Sequence, residues 1–282
     1  MKLKDIYSKP KINPVISLEV FPPKDGLDSL DAELEILKKY NPALISVTST
    51  SSATNAVQSE IVQNIKNKIH LTVMPHLTCV RNCRQDVEDY IKILQNNSVD
   101  CILALRGDYP TDGTQACSEF KYANELVEFI NSHSDLSIGV AGYPEGHIEA
   151  ESILADINNL KNKLSAGGEV IYTQLFFDNS KFFRYIELLE KSGISVPVTA
   201  GIMPVISYKQ ITRMINLANI SVPKNFAEKI EAYKDDKKSM VEFGIEFAVN
   251  QCQSLIACGV DGLHFYTLNK AYSTSKILDS II

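Results

Sequence analysis

The sequence predicts a (β/α)8 TIM barrel, an α/β fold, and three observations carry that prediction. Eight short apolar runs each end in a polar, turn-forming patch: VISLEVFPPK (15–24), ALISVTST (43–50), HLTVMPHLTC (70–79), CILALRGD (101–108), SIGVAGYPEGH (137–147), EVIYTQLFFD (169–178), PVTAGIMPV (197–205) and GLHFYTLN (262–269). Glu19, Thr48, His76, Asp108, Tyr143, Gln174 and Pro204 mark the first seven runs and follow one another at 28–35 residues, the length of one βα unit. Segments with helical spacing fall between the runs, an alternation that builds a parallel sheet with right-handed crossovers. A chain of 282 residues suits a single barrel domain over 1–282 and leaves little for a second.

The elements follow in order. GLDSLDAELEILKKY (26–40) carries Leu30, Leu34 and Leu37 at helical spacing behind a cap at Asp28 or Ser29. Helical patterns recur at 54–67, 84–96, 120–132, 149–165, 180–191 and 207–217. Gly167-Gly168 and Gly193 mark helix stops before the sixth and seventh runs. The connection between the seventh and eighth runs is roughly twice the usual length. Within it Pro223 starts an extra helix over 223–233, KDDKK (234–238) is a solvated turn, and 239–258 is the helix proper. Residues 271–282 form the closing helix.

Composition narrows the function classes. The chain is 45% hydrophobic and 22% charged, enough apolar matter for a full core on a globular chain. Net charge is −6 without a basic block, which argues against nucleic acid. No h-region opens the sequence and no apolar run nears 18 residues, so the expectation is a cytoplasmic protein with no membrane span. Cys79, Cys83, Cys101, Cys117, Cys252 and Cys258 form no C-x-x-C pair and read as reduced thiols of strands and helices. Their spacing, even with His76 nearby, fits no zinc pattern, and no metal site is expected.

Alternation along the strands predicts which residues meet. In the first run Ser17 and Glu19 share one face, against Ile16, Leu18 and Val20; Ser46 and Thr48 oppose Ile45 and Val47 in the second. Side chains alternate across a sheet, so the mixed face points into the barrel and the apolar face packs on helices. Glu19, Thr48, His76, Tyr143 and Gln174 then converge at the top of the interior. There, functional groups sit at strand C-termini.

Glu19 is the sharpest signal, a carboxylate interrupting an apolar strand just before Phe21-Pro22-Pro23. Burying it costs several kcal/mol unless it is paired or neutralised. A structural role therefore needs a buried Arg or Lys, whereas an apolar setting raises its pKa and makes it a general acid. Asp108 follows Arg106 and Gly107, the glycine permitting close backbone approach to a ligand; the alternative is a turn-initiating Asp before Pro110. Two strand-end carboxylates also admit a glycosidase pair. That leaves His76, Tyr143 and Gln174 without work, and the chain has no Trp for sugar stacking. His76 also admits a satisfied interior role. Asp156, Asn159 and Lys163 fall on one helix face, either a solvated row or a ligand edge on which Lys163 suits a phosphate. No G-x-G-x-x-G or P-loop occurs, excluding a Rossmann-bound dinucleotide.

LEVFPPK, SVT, PHLTC, ILALRGD, IGVAGYPEGH, YTQLFFD, GIMPV followed by YKQ, and HFYTLN closely resemble the methylenetetrahydrofolate reductase family in its compact bacterial form. The likeness runs in order from about residue 15 to 270. It implies a (β/α)8 flavoenzyme that reduces 5,10-methylenetetrahydrofolate to 5-methyltetrahydrofolate with NADH or NADPH through bound FAD, in ping-pong order. By motif, Glu19 resembles the family's general acid and Asp108 its carboxylate beside flavin and pterin. Gln174, Gln210 and Lys270 resemble folate contacts. Thr48, His76, Arg106, Gly107, Asp108, Ala123, Tyr143, His147, Asp156, Asn159 and Lys163 resemble the FAD set. The resemblance also implies a homo-oligomer. Two departures stand out: Ser49–Ala53 replaces a glycine-rich stretch, and Lys270 stands where the family commonly has Arg, losing bidentate recognition of a carboxylate. The altered stretch after Thr48 motivates an alternative, a flavin- or folate-binding barrel subunit fed electrons by a protein partner.

Overall fold

Eight strands close into a parallel barrel in the order β1 to β8, with β8 returning to β1. The computed structural model describes residues 1–8, 13–23, 26–49, 55–80, 82–109, 119–218 and 220–282. A short helix α1 (Leu3–Tyr7) precedes β1 (Val15–Val20), α2 (Leu27–Lys38), β2 (Leu44–Val47), α3 (Asn55–Asn64), β3 (Val73–Thr78), α4 (Arg84–Asn96) and β4 (Cys101–Leu105). Then come α5 (Ala123–His133), β5 (Ser137–Gly142), α6 (Ile153–Ser165), β6 (Gly168–Leu175), α7 (Asn179–Lys191) and β7 (Val198–Ile202). The long connection holds α8 (Tyr208–Ala218), α9 (Lys224–Ala232) and α10 (Lys237–Ala257), before β8 (Gly262–Tyr266) and α11 (Ala271–Ile281). The (β/α)8 class read from spacing is the observed one, including the extra helix opening behind Pro223.

Local chemistry sets the boundaries. Ser152 caps α6 by accepting from Ala155 N at 3.1 Å, and Asp178 caps α7 by accepting from Ser180 N at 2.9 Å. Asp236 accepts from the backbone N–H of both Lys238 and Ser239, at 3.1 Å each, so α10 starts inside the expected KDDKK turn. Gly167 and Gly193 take positive φ, 129° and 74°, behind α6 and α7, the left-handed conformation a helix stop favours. Gly168 instead opens β6.

Three features depart from the sequence expectations. Helix α1 was not foreseen; its Leu3, Ile6 and Tyr7 are buried, and a five-residue element is too short to show a period. The helix expected over 54–67 gives way to a π-helical turn at Ile65–Ile69, which ends with His70 at φ 60° and buries both isoleucines. Cys83 is disulfide-bonded, correcting the expectation of reduced thiols throughout, while Cys79, Cys101, Cys252 and Cys258 are free. Sequence spacing carries no information on which Cβ atoms approach to bonding distance. Cys117 lies outside the described residues.

Two apolar layers follow from strand parity. Ile16, Leu18, Val20, Ile45 and Val47 pack outward with the helices. The lower interior holds Leu3, Tyr7, Met74, Leu103 and Tyr172, so α1 fills the barrel's N-terminal end. A satellite cluster joins α8, α9 and α10 to the segment after β7, with Phe177 and Phe226 stacked at 4.6 Å between centroids. There α10 approaches backbone to backbone: a Cβ at Gly244 would fall 2.0 Å from the Val205 carbonyl oxygen. Gly244→Ala is expected to lower the free energy of urea unfolding by about 1–3 kcal/mol, the usual scale of overpacking. An unchanged urea midpoint would show that α10 is not seated there.

Candidate functional site

A cavity of about 370 Å³ opens among the C-terminal ends of the strands, within the size range of small-molecule sites. Every strand except β7, or the loop that follows it, supplies lining residues, and Met214 of α8 joins them. Of the residues singled out from sequence, Glu19, Thr48, His76, Arg106, Gly107, Asp108, Tyr143, His147 and Gln174 line this one space.

Glu19 sits at its centre because both its backbone and its side chain are held. Thr267 Oγ1 donates to the Glu19 carbonyl at 2.7 Å, and Thr267 N reaches the same oxygen at 3.2 Å. Beyond it, Asn269 bonds both backbone groups of Phe21, accepting from N at 3.0 Å and donating to O at 2.7 Å. Leu268 and Asn269 both take left-handed φ, 56° and 52°, uncommon for residues other than glycine. The TLN of the last run is therefore a clamp on the exit of β1.

The Glu19 side chain is 17% exposed, and its Oε2 lies 3.5 Å from Nε2 of His76 and 3.5 Å from Nε2 of His264. Among the described residues its ion-pair partners are these two imidazoles; the buried Arg or Lys required by a purely structural carboxylate is not there. Ser17 Oγ meets His264 Nδ1 at 2.8 Å, and Ser46 Oγ bonds His76 Nε2. Burial pushes His76 down from its ordinary 6.5 to about 4, against the upward pull of Glu19. At neutral pH, His76 is thus an uncharged imidazole beside the carboxyl group. His264 is held edge-to-face between Tyr172 and Tyr266, at centroid distances of 5.2 and 5.4 Å.

His264 and Tyr266 were missed as site residues. The signal was present, since alternation places both opposite Leu263 and Phe265 on the same kind of mixed face as Ser17 and Glu19.

The other wall comes from β4 and β5. Arg106 forms a two-pronged ion pair with Glu149, Nη2 to Oε1 at 2.9 Å, which holds Arg106 above its ordinary pKa. Gly107 takes φ +79°, and a Cβ there would fall 2.8 and 2.9 Å from Val80 and Thr78 side chains. Asp108 is exposed at the rim. Tyr143 and His147 meet edge-on at 4.8 Å.

The Asp156, Asn159 and Lys163 row is not a solvated face. Asp156 and Lys163 are buried while Asn159 is exposed. Lys163 Nζ donates to the Ala141 carbonyl at 2.6 Å, bracing a residue that lines the cavity. Burial lowers Lys163 to about 8 with Asp156 opposing, and burial raises Asp156 with Lys163 opposing.

Ala123 opens α5 and Gln210 lies on α8, neither in the cavity lining. Lys270 is exposed, its Nζ 3.5 Å from Glu33. Residues 50–53 of the substituted stretch lie outside the described residues; Ser49 lines the cavity.

The lining suits a flat, polar-edged cofactor. Thr48 Oγ1 is buried without a hydrogen-bond partner among the described residues, and a buried polar atom calls for one. The backbone at Gly107 and the side chains of Leu103, Leu105 and Leu175 line the cavity together with a cationic donor, Arg106, and two carboxyl groups, Glu19 and Asp108. A flavin ring with its hydrogen-bonding edge fits such a set.

Comparison with known proteins agrees with the motif likeness. The family described as Methylenetetrahydrofolate reductase matches residues 2–282. The 5,10-methylenetetrahydrofolate reductase of Escherichia coli K12 is 33% identical over 269 residues, covering 94% of this chain and 90% of that protein. Methylenetetrahydrofolate reductase 1 of Schizosaccharomyces pombe is 32% identical over 291 residues, and methylenetetrahydrofolate reductase (NADH) 1 of Arabidopsis thaliana 34% over 279. The chain spans about half the length of these two, 48% and 47%. Among solved structures, a Clostridium thermocellum protein described as binding two copies of 5-methyl-5,6,7,8-tetrahydrofolic acid superposes with a TM-score of 0.66. It has 12% identity, covering 95% of this chain and 94% of that one; at that identity the likeness concerns the fold.

The neutral state of His76 has a measurable consequence. Its folded pKa lies below the unfolded one, so its stabilising contribution is intact above about pH 6.5 and is lost as pH falls toward 4. The shift corresponds to roughly 3 kcal/mol. Urea titrations across that window are expected to show a declining unfolding free energy, with a shallower decline in His76→Gln. Parallel curves for the two proteins would remove His76 as the source.

Proposed function

Since the chain belongs to the methylenetetrahydrofolate reductase family, we propose that it reduces 5,10-methylenetetrahydrofolate to 5-methyltetrahydrofolate, FAD-dependently, with NADH or NADPH as electron donor. The observation that carries this proposal is Glu19, held half-buried between two imidazoles in a cavity it shares with Asp108 and Gln174. The family match and the bacterial relatives of similar length support it.

Thr48, His76, Arg106, Gly107, Tyr143 and His147 would hold the cofactor from the cavity wall, with Ala123, Asp156, Asn159 and Lys163 extending the set along α5 and α6. FAD, when bound, supplies the hydride-transfer chemistry. Glu19 donates its proton to the nitrogen of the five-membered ring that departs; the C–N bond breaks and leaves an iminium ready for hydride. Ser17 and Ser46 orient the two imidazoles, and so fix where the acid points. Asp108 at the rim places negative charge beside the positive charge developing on the pterin, and Gln174, with Gln210 and Lys270 further out, orients the folate. One cavity that serves donor and acceptor in turn gives ping-pong order. The resemblance further implies a homo-oligomer, which light scattering of the purified protein would test.

An absorbance spectrum of the purified chain is expected to show flavin bands; a colourless protein that binds no added FAD would defeat the proposal. Glu19→Gln is expected to retain NAD(P)H oxidation with menadione while folate reduction falls by about 10² or more, the scale of general-acid catalysis. Undiminished folate turnover in that variant would take Glu19 out of the mechanism.

A further inference from the structure

We propose that Tyr7, on the short helix α1 at the opposite end of the barrel, is a positioning residue for the acid site, acting through Tyr172 and His264. Its detection by enzyme kinetics rests on the folate-reductase proposal above; the geometry does not.

Helix α1 is docked by more than apolar contact. Leu3 N donates to Ser137 Oγ at 3.0 Å, and Ser137 in turn bonds Glu169. Leu3, Ile6 and Tyr7 join the lower interior cluster with Met74, Leu103 and Tyr172. From this seat the Tyr7 hydroxyl meets Thr199 Oγ1 at 2.7 Å and reaches the Tyr172 hydroxyl at 3.4 Å. Three hydroxyls from α1, β7 and β6 thus meet beside the apolar side chains of the lower interior.

Tyr172 belongs to that cluster and also lines the functional cavity. The ring occupies a slot made by the absence of a side chain at Gly139, where a Cβ would fall 3.0 Å from the ring and 3.1 Å from Leu103. The ring is therefore bounded on its β5 side, and the hydroxyl contact below bears on how it stands in its slot. At the upper end the ring lies edge-to-face on His264, 5.2 Å between centroids and 74° between planes. His264 has one nitrogen on Ser17 Oγ and the other 3.5 Å from Glu19 Oε2. The aspect of this imidazole decides whether Nε2 faces the acid.

A Tyr7→Phe substitution keeps the ring that fills the barrel's end but takes away the hydroxyl. Tyr172 is then left with a buried hydroxyl seeking another partner, and its ring has cause to shift along the slot against His264. An element that merely sealed the barrel would transmit nothing to His264.

The test uses the flavin-bound full chain. In Tyr7→Phe, the imidazole ¹⁵N resonances of His264 are expected to move, and reoxidation of the reduced flavin by 5,10-methylenetetrahydrofolate to slow about tenfold, while flavin reduction by NAD(P)H keeps its rate. His264 resonances or a folate half-reaction coinciding with wild type would overturn the proposal. Should Tyr7→Phe not fold, Thr199→Val, which removes the other hydroxyl at nearly constant volume, is expected to move the same resonances in the same way, and unmoved resonances there refute it. If the wild-type protein itself cannot be reoxidised by methylenetetrahydrofolate, the functional proposal fails, and the His264 resonances alone decide the part played by Tyr7.

Discussion

The half-buried carboxyl of Glu19, set between two imidazoles and, among the described residues, without a lysine or arginine partner, is the constraint on which the rest of the site depends. An ionised carboxylate in such a place is costly unless paired. His76 is kept uncharged by its own burial, so at neutral pH it offers Glu19 a polar ring and no countercharge. Such a setting gives the acid a direction. The two serines behind the imidazoles and the Thr267 bonds to the Glu19 carbonyl restrict that direction further.

Barrel geometry explains how one short strand can hold such a group. Alternate residues of β1 face opposite ways, so Leu18 and Val20 anchor the strand to the helices while Ser17 and Glu19 are free to serve the interior. The same division recurs at β2 with Ser46, at β3 with His76 and at β8 with His264. Chemistry and stability are thereby carried by alternate residues on opposite faces of the same strands. Gly107 and Gly139 mark where the backbone must leave space, one for the cavity wall and one for the Tyr172 ring.

The buried Asp156 and Lys163 pair shows that charge inside this protein need not be at the acid. Lysine here braces the Ala141 carbonyl behind the cavity wall, and each partner limits the shift that burial imposes on the other. Arg106 has its own exposed carboxylate partner in Glu149. On the β4–β5 side, then, each of these cations faces a carboxylate, whereas the Glu19 carboxyl faces imidazoles.

Much of this was legible in the linear sequence. Strand number, helix stops at Gly167 and Gly193, the extra helix after Pro223, and the convergence of Glu19, Thr48, His76, Tyr143 and Gln174 all follow from local periodicity and turn chemistry, which act over a few residues. Long-range partners were not legible. That Cys83 is disulfide-bonded, that Lys163 turns inward to a carbonyl, that His264 returns to Glu19 from the far end of the chain, and that Tyr7 reaches Tyr172 from below depend on distances between residues many positions apart. Closing the sheet sets those distances. Alternation states which way a side chain points, but only the closed barrel decides what it meets.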